Sequence, residues 1–191
     1  MPTFALALLA LTLFSSPAEA AKDGLRTRLT VLEGTLIRAG GAGGQNSLSD
    51  NTVQSLCEEG ISTAFYLYPS ASFTNKGSHS CGQGSLDYKG GGFMAKSVRP
   101  ILVEVMNAAN GRQGPVLVHC WNGWHAAGEV AAYALMQFCG WSGEQAADYW
   151  ADTLVDKHNL PKYGSIMKRI RAYSPYSDIG VSPAVQAKIC P

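Results

Sequence analysis

The chain has 191 residues, 46% of them hydrophobic and 15% charged, with a formal net charge of +1. That length suits one domain with a substantial core, and the near-neutral charge gives no electrostatic case for a nucleic-acid partner. Glycine is frequent, at 21 residues, and gathers in Gly40 to Gly44 and Gly77 to Gly92, where long loops are expected.

Phe4 to Phe14 is an apolar run too short for an ordinary membrane span. Ser15-Ser16-Pro17-Ala18-Glu19-Ala20-Ala21 follows it, and Ala18-x-Ala20 has the small-residue spacing of a signal-peptidase site. No Lys or Arg precedes the run, so a buried N-terminal helix is the competing reading. The expectation is a signal peptide at residues 1–20 and a single mature domain at residues 21–191. The mature chain would be exported, periplasmic or secreted, with no stable membrane span after cleavage.

Leu29 to Leu36 alternates loosely around Gly34 and reads as a short hairpin or edge strand. Ser49 is a candidate N-cap for a helix through Glu59, with Val53, Leu56 and Cys57 on one face and Gly60 as its stop. Ile61 to Tyr68 is rich in β-branched and aromatic residues and reads as a buried strand ended by Pro69. From Pro69 to Gly92 the chain is polar and glycine-rich, and only Leu86 to Lys89 looks strand-like. Pro100 at a first helical position predicts a helix to Asn110. Gly111 and Gly114 bracket the turn into a central strand, Val116 to His119. Ala127 to Cys139 predicts a buried helix. Ser142-x-x-Gln145 is a capping box opening a helix toward Lys157. Tyr163, Ile166, Met167 and Ile170 mark an amphipathic helix after Pro161, and Ser182-Pro183 begins a short terminal turn. Strands early, a strand–loop–helix in the middle and helices late give an α/β or α+β sandwich.

Five cysteines in an exported chain suggest one or two disulfides with one thiol left over. Cys120 is the natural odd one out. Cys57, Cys81, Cys139 and Cys190 then allow three pairings, and four inert buried thiols are the alternative.

The densest signal is Val116-Leu117-Val118-His119-Cys120-Trp121-Asn122-Gly123-Trp124-His125-Ala126-Ala127-Gly128. An apolar strand runs into a His-Cys pair, a glycine-bearing loop and an Ala-rich helix. That order aims backbone N–H groups and a helix N-terminus at one sulfur, which favours a thiolate. The segment resembles the phosphate loop of the protein-tyrosine and dual-specificity phosphatases, H-C-x-x-G-x-x-R-[S/T]-G. His119, Cys120, Gly123 and Gly128 match that pattern. Ala126 stands at the arginine position and Ala127 at the hydroxyl position, so the loop is degenerate. Gly34-Thr35-Leu36-Ile37-Arg38-Ala39-Gly40 is similar to the "gxLYRSGQ" opening of bacterial dual-specificity-like phosphatases. Gly60-Ile61-Ser62-Thr63-Ala64 is similar to their "GIKTVI", and Gly140-Trp141-Ser142-Gly143-Glu144-Gln145-Ala146 to their "gWsxeeA". The resemblance runs from about Glu33 to Tyr173 and implies an α/β fold with a dual-specificity-phosphatase-like central sheet flanked by helices.

In that family the cysteine thiolate attacks phosphorus and the phosphocysteine is then hydrolysed, with no cofactor and no metal. The resemblance makes Cys120 the nucleophile, with His119 orienting the loop through a hydrogen bond. Asp87 is the only carboxylate near the family's general-acid position, and a surface Asp is the competing reading. Asn122, Gly123 and Gly128 would wrap a phosphorylated or anionic ligand. Trp121 and Trp124 would wall the pocket for a ring or simply cover the loop. His125, if protonated, would partly replace the missing cation, or else face solvent. Arg38 would bind an anion or act structurally. A zinc site built from His119, Cys120 and His125 lacks a second ligand cluster. Two readings stand: a cysteine-dependent phosphatase with weak or altered activity, and a non-catalytic binder of an anionic or aromatic ligand in the former active-site basin.

Overall fold

The computed structural model describes residues 24–41, 47–68, 73–154 and 157–191. The expected signal peptide, the loop at 42–46 and Pro69 lie outside the described residues. Six strands form one sheet: β1 (Arg26–Leu32), β2 (Leu36–Gly40), β3 (Thr63–Tyr66), β4 (Gly77–Cys81), β5 (Gly84–Gly90) and β6 (Val116–Cys120). Their order is β1-β2-β6-β3-β5-β4. The inner four run parallel, and β1 and β4 close the two edges antiparallel.

β6 is buried along its whole length, as a central parallel strand covered on both faces must be. Its side chains alternate between two cores. Val116, Val118 and Cys120 face one and Leu117 the other. Helix α1 (Asp50–Glu58) covers the Leu117 face, while α2 (Arg99–Ala109), α3 (His125–Cys139), α4 (Gly143–Asp152), α5 (Gly164–Arg171) and α6 (Pro183–Ile189) cover the opposite face. This is the α/β arrangement expected, a mixed sheet flanked by helices.

Local chemistry accounts for most helix ends. The Ser49 hydroxyl accepts from Thr52 N–H at the start of α1. Both halves of the Ser142–Gln145 capping box are formed at α4. α4 stops at Asp152 rather than near Lys157, where the Thr153 hydroxyl turns back to donate to the Tyr149 carbonyl at 2.7 Å. A 3₁₀ turn, Lys157–Tyr163, then carries Pro161.

The stretch expected to be mostly loop holds a hairpin, β4–β5. Within Gly77–Cys81 only Cys81 is buried, so no apolar alternation announces the strand. It is held instead by pairing with β5 and by the Cys57–Cys81 disulfide to α1. A second bridge, Cys139–Cys190, ties the end of α3 to the residue after α6. Cys120 is the free cysteine.

Candidate active site

β6 delivers Cys120 to the C-terminal end of the parallel strands, the loop 121–124 follows, and α3 begins at His125. The loop rests on the end of β2. A Cβ on Gly123 would stand 2.7 Å from the Ala39 carbonyl carbon and the Gly40 nitrogen. One on Gly40 would stand 2.6 Å from the Asn122 carbonyl carbon. Gly123 also has φ +76°, a conformation that side chains resist. Gly41 N–H donates to the Cys120 carbonyl at 2.7 Å. Glycine is therefore required on both sides of this contact, and Cys120, 3% exposed, lies at the base of the loop.

His119 points to the opposite face of the sheet, as strand alternation requires. It is fully buried, stacked on Tyr66 at 4.9 Å, and its Nε2 lies 2.6 Å from the Tyr88 hydroxyl. Among the described residues its Nδ1 makes no hydrogen bond of good geometry, although the Cys120 backbone lies close enough to act on the ring. Burial pushes its pKa down to about 3, so the ring is neutral at ordinary pH. The imidazole thus braces the strand end through Tyr88, and the His119 backbone carbonyl accepts from Leu67 N–H at 3.0 Å.

The two tryptophans have separate placements. Trp121, which follows Cys120 directly, is 48% exposed. Trp124 donates its indole N–H to the Thr27 hydroxyl at 3.3 Å and is tied to β1. Thr27 itself has φ +47°, a costly conformation for a β-branched residue. His125 packs against the Tyr163 ring at 4.4 Å, with Trp150 at 6.3 Å. Ala126 and Ala127 are buried in the first turn of α3.

Arg38, on β2, is fully buried and reaches under that turn. A Cβ on Gly128 would come within 2.7 Å of its Nη1, so Gly128 makes room for the guanidinium. Nη2 donates to the Thr153 carbonyl at 3.4 Å, whereas Nε and Nη1 have no hydrogen-bond partner among the described residues. The guanidinium carbon lies 5.4 Å from the Tyr149 ring centroid. Burial lowers the Arg38 pKa, and Tyr149 and Cys120 pull it back up.

The structure does not bring Asp87 to the loop. Asp87 pairs with Thr63, and Thr63 with Val116, four residues short of Cys120, or roughly 13 Å along the strand. Its carboxylate is ion-paired with Lys89 at 3.0 Å, and Lys89 also bonds Glu104. The register thus sets Asp87 level with the start of β6 rather than with the loop that follows its end.

Three residues not singled out in the sequence stand on elements near the loop: Glu129 on α3, Arg169 on α5 and Tyr68 just past β3. Glu129 is fully buried and accepts from Nε and Nη2 of Arg169, each at 2.8 Å, and from the Tyr133 hydroxyl at 2.7 Å. The hydrogen bond to Glu129 holds Arg169 above its ordinary pKa. Tyr68, just past β3, is exposed and packs on Phe93 at 5.1 Å. A cleft of about 830 Å³ opens at the ends of β3 and β5, lined by Leu67, Phe73, Lys76, Lys89, Phe93 and Met94 among others. One feature of the sequence could have found Glu129: it is the sole charged residue in Ala126–Cys139.

No family model matches the sequence, and no curated protein matches it significantly. Its fold is similar to that of Pseudomonas aeruginosa TpbA, with a TM-score of 0.51 and 17% identity over 82% of this chain and 94% of that one. A DUF442 protein of Shewanella putrefaciens CN-32 gives 0.49 at 18% identity, covering 79% and 93% of the two chains. A Cys-to-Ser variant of P. aeruginosa TpbA in complex with pTyr gives 0.48 at 20%, covering 91% and 96%. The protein has a phosphatase-like α/β fold.

Proposed function

We propose that Cys120 is the nucleophile of a degenerate phosphate loop that hydrolyses phosphate esters weakly or with altered specificity. The observation that carries this reading is the placement of Cys120. The free thiol ends a central strand immediately ahead of the α3 N-terminus, under a loop clamped on Ala39-Gly40. The sulfur forms a bond to phosphorus as the ester P–O bond breaks, and the leaving oxygen takes a proton from solvent. Water then attacks phosphorus, the S–P bond breaks, and inorganic phosphate departs. Asn122, Gly123 and Gly128 shape the loop, and Trp121 walls its mouth. Weakness follows from the sequence. Ala126 provides no fork for the phosphoryl oxygens and Ala127 no hydroxyl for the departing thiolate, where one missing donor typically costs about 10²–10³ in rate.

The placement of Asp87 away from the loop supports a second reading, a non-catalytic protein that binds a phosphorylated or anionic ligand at the same loop. Both readings describe an exported protein, periplasmic or secreted, in which residues 1–20 are a cleaved signal peptide and residues 21–191 one domain. The Cys57–Cys81 and Cys139–Cys190 disulfides support export, because such bonds persist in oxidising compartments. Among the described residues no helix is long and apolar enough to cross a membrane.

Mass spectrometry of the intact protein quenched during exposure to para-nitrophenyl phosphate tests the reading. The expected result is slow turnover with a phosphoryl adduct on Cys120, both abolished in Cys120→Ser. Phosphate binding without an adduct or turnover would select the second reading. Neither binding nor adduct would overturn both.

A further inference from the structure

We propose that Arg169, presented by α5 and locked by Glu129, supplies an anion at the Cys120 loop with the guanidinium that position 126 lacks. This inference rests on the reading of that loop as an anion site. Glu129 follows Ala126 by three residues, so the two share one face of α3 a turn apart. A helical side chain leans toward the N-terminus, so the Glu129 carboxylate covers the turn that holds Ala126. The guanidinium it grips is therefore held over the face from which a side chain at 126 would have projected.

The grip is directional. Glu129, with no exposed surface, takes the Nε–Nη2 edge of Arg169 at 2.8 Å on both bonds, and Tyr133 braces the same carboxylate. Arg169 keeps 35% of its side chain exposed. A guanidinium has five N–H donors in one plane, so its Nη1 side is left for a second, planar partner such as two oxygens of a phosphoryl group. Fixed by a buried carboxylate, the fork is oriented before any ligand arrives.

Tyr68, half-exposed, lies in the field of both Cys120 and this pair. Its pKa is raised first by burial and then by Cys120 and Glu129, and it is lowered by Arg169. All three groups thus act on one phenol at the end of β3, the strand adjoining β6. A further sign that the basin is built for an anion comes from the other side of α3. Arg38, fully buried beside Gly128, keeps Nε and Nη1 without partners and has Cys120 in its field. A buried cation so poorly compensated is costly, and negative charge at the loop offsets that cost. The ligand class is a compact dianionic oxyanion, a phosphate monoester or its inorganic analogue.

The test compares alkylation of Cys120 by anionic iodoacetate and neutral iodoacetamide, read by mass spectrometry on the disulfide-intact protein. Wild type should prefer iodoacetate, relative to a small free thiol, and inorganic phosphate should suppress the preference. Arg169→Gln should slow iodoacetate by at least about tenfold, the lower end for a hydrogen bond to a charged group, while the iodoacetamide rate is unchanged. Arg169→Lys should recover part of the loss, keeping charge without the fork. An unchanged preference in Arg169→Gln would overturn the role of Arg169 and leave the loop reading standing. An equal fall for both reagents would mean that Arg169 merely shapes the loop, and would also overturn it. A wild-type thiol inert to both reagents, or without preference, would remove the anion site itself.

Discussion

The hydroxyl of Tyr88 lies 2.6 Å from Nε2 of His119 on the buried α1 face of the sheet, and it also accepts from Leu48 N–H at 2.9 Å. One phenol therefore links β5, the end of β6 and the segment leading into α1. Burial raises its pKa well above the ordinary tyrosine range, so it remains protonated. Tyr88→Phe keeps the ring but strands two buried polar groups, a defect that costs about 1–3 kcal/mol for each group. Urea unfolding should show that loss with little change in slope.

His119 makes stability depend on pH. Its pKa falls from 6.5 to about 3 on folding because burial disfavours the charged ring. The unfolded chain therefore binds more protons between those values. This contribution is fully present above pH 6.5 and is lost as pH falls toward 3, with a slope of at most about 1.4 kcal/mol per pH unit. Denaturant midpoints at pH 7, 5 and 4 should fall in that order. His119→Asn should flatten the trend while lowering stability at pH 7.

Gly123 and Gly34 separate backbone strain from close packing. Both have positive φ, +76° and +59°, but a Cβ at Gly34 meets nothing within 4 Å, whereas one at Gly123 strikes the Ala39–Gly40 backbone. Gly34→Ala should cost about 1–2 kcal/mol, the left-handed penalty alone. Gly123→Ala should cost about 1–3 kcal/mol more, with Cys120 alkylation altered only in the second variant. Thermal unfolding of the pair measures the difference.

The disulfides should differ modestly in worth. Residues 139 and 190 are separated by 51 positions, residues 57 and 81 by 24. Replacing either pair by alanine should cost about 2–4 kcal/mol, and loop entropy makes the longer one worth about 0.7 kcal/mol more. Hydrogen exchange should show local loosening in different places. Without Cys139–Cys190 the change should centre on α6, where Ile189 accepts from Glu33 N–H at 2.8 Å. Without Cys57–Cys81 it should centre on β4.

What the sequence revealed was whatever short-range chemistry encodes. The Ser49 cap, Pro100 in the first turn of α2 and the Ser142–Gln145 box each act within four residues, and all three helices start where those signals lie. The loop around Cys120 was legible for the same reason, since its strand, glycine and helix are contiguous. β4 was hidden because its stability comes from β5 and a disulfide rather than from its own side chains. The height of Asp87 on the sheet was not legible, because spacing along a chain does not report register. Arg169 and Glu129 are 40 residues apart, so nothing local joins them. Trp121 and Trp124 look equivalent in sequence, and only the contact with Thr27 separates them.

The burial of Cys120 has a consequence for its oxidation. Thiol–disulfide exchange requires one sulfur to approach another closely enough to form a mixed disulfide. At 3% exposure beneath the loop, Cys120 offers little surface to a bulky disulfide, so burial opposes that approach. The chain can thus hold two oxidised pairs and one reduced sulfur in the same solvent, with burial setting the odd cysteine apart. Uncovering Cys120 would trade selectivity for reach: a larger ester could approach, and so could a disulfide.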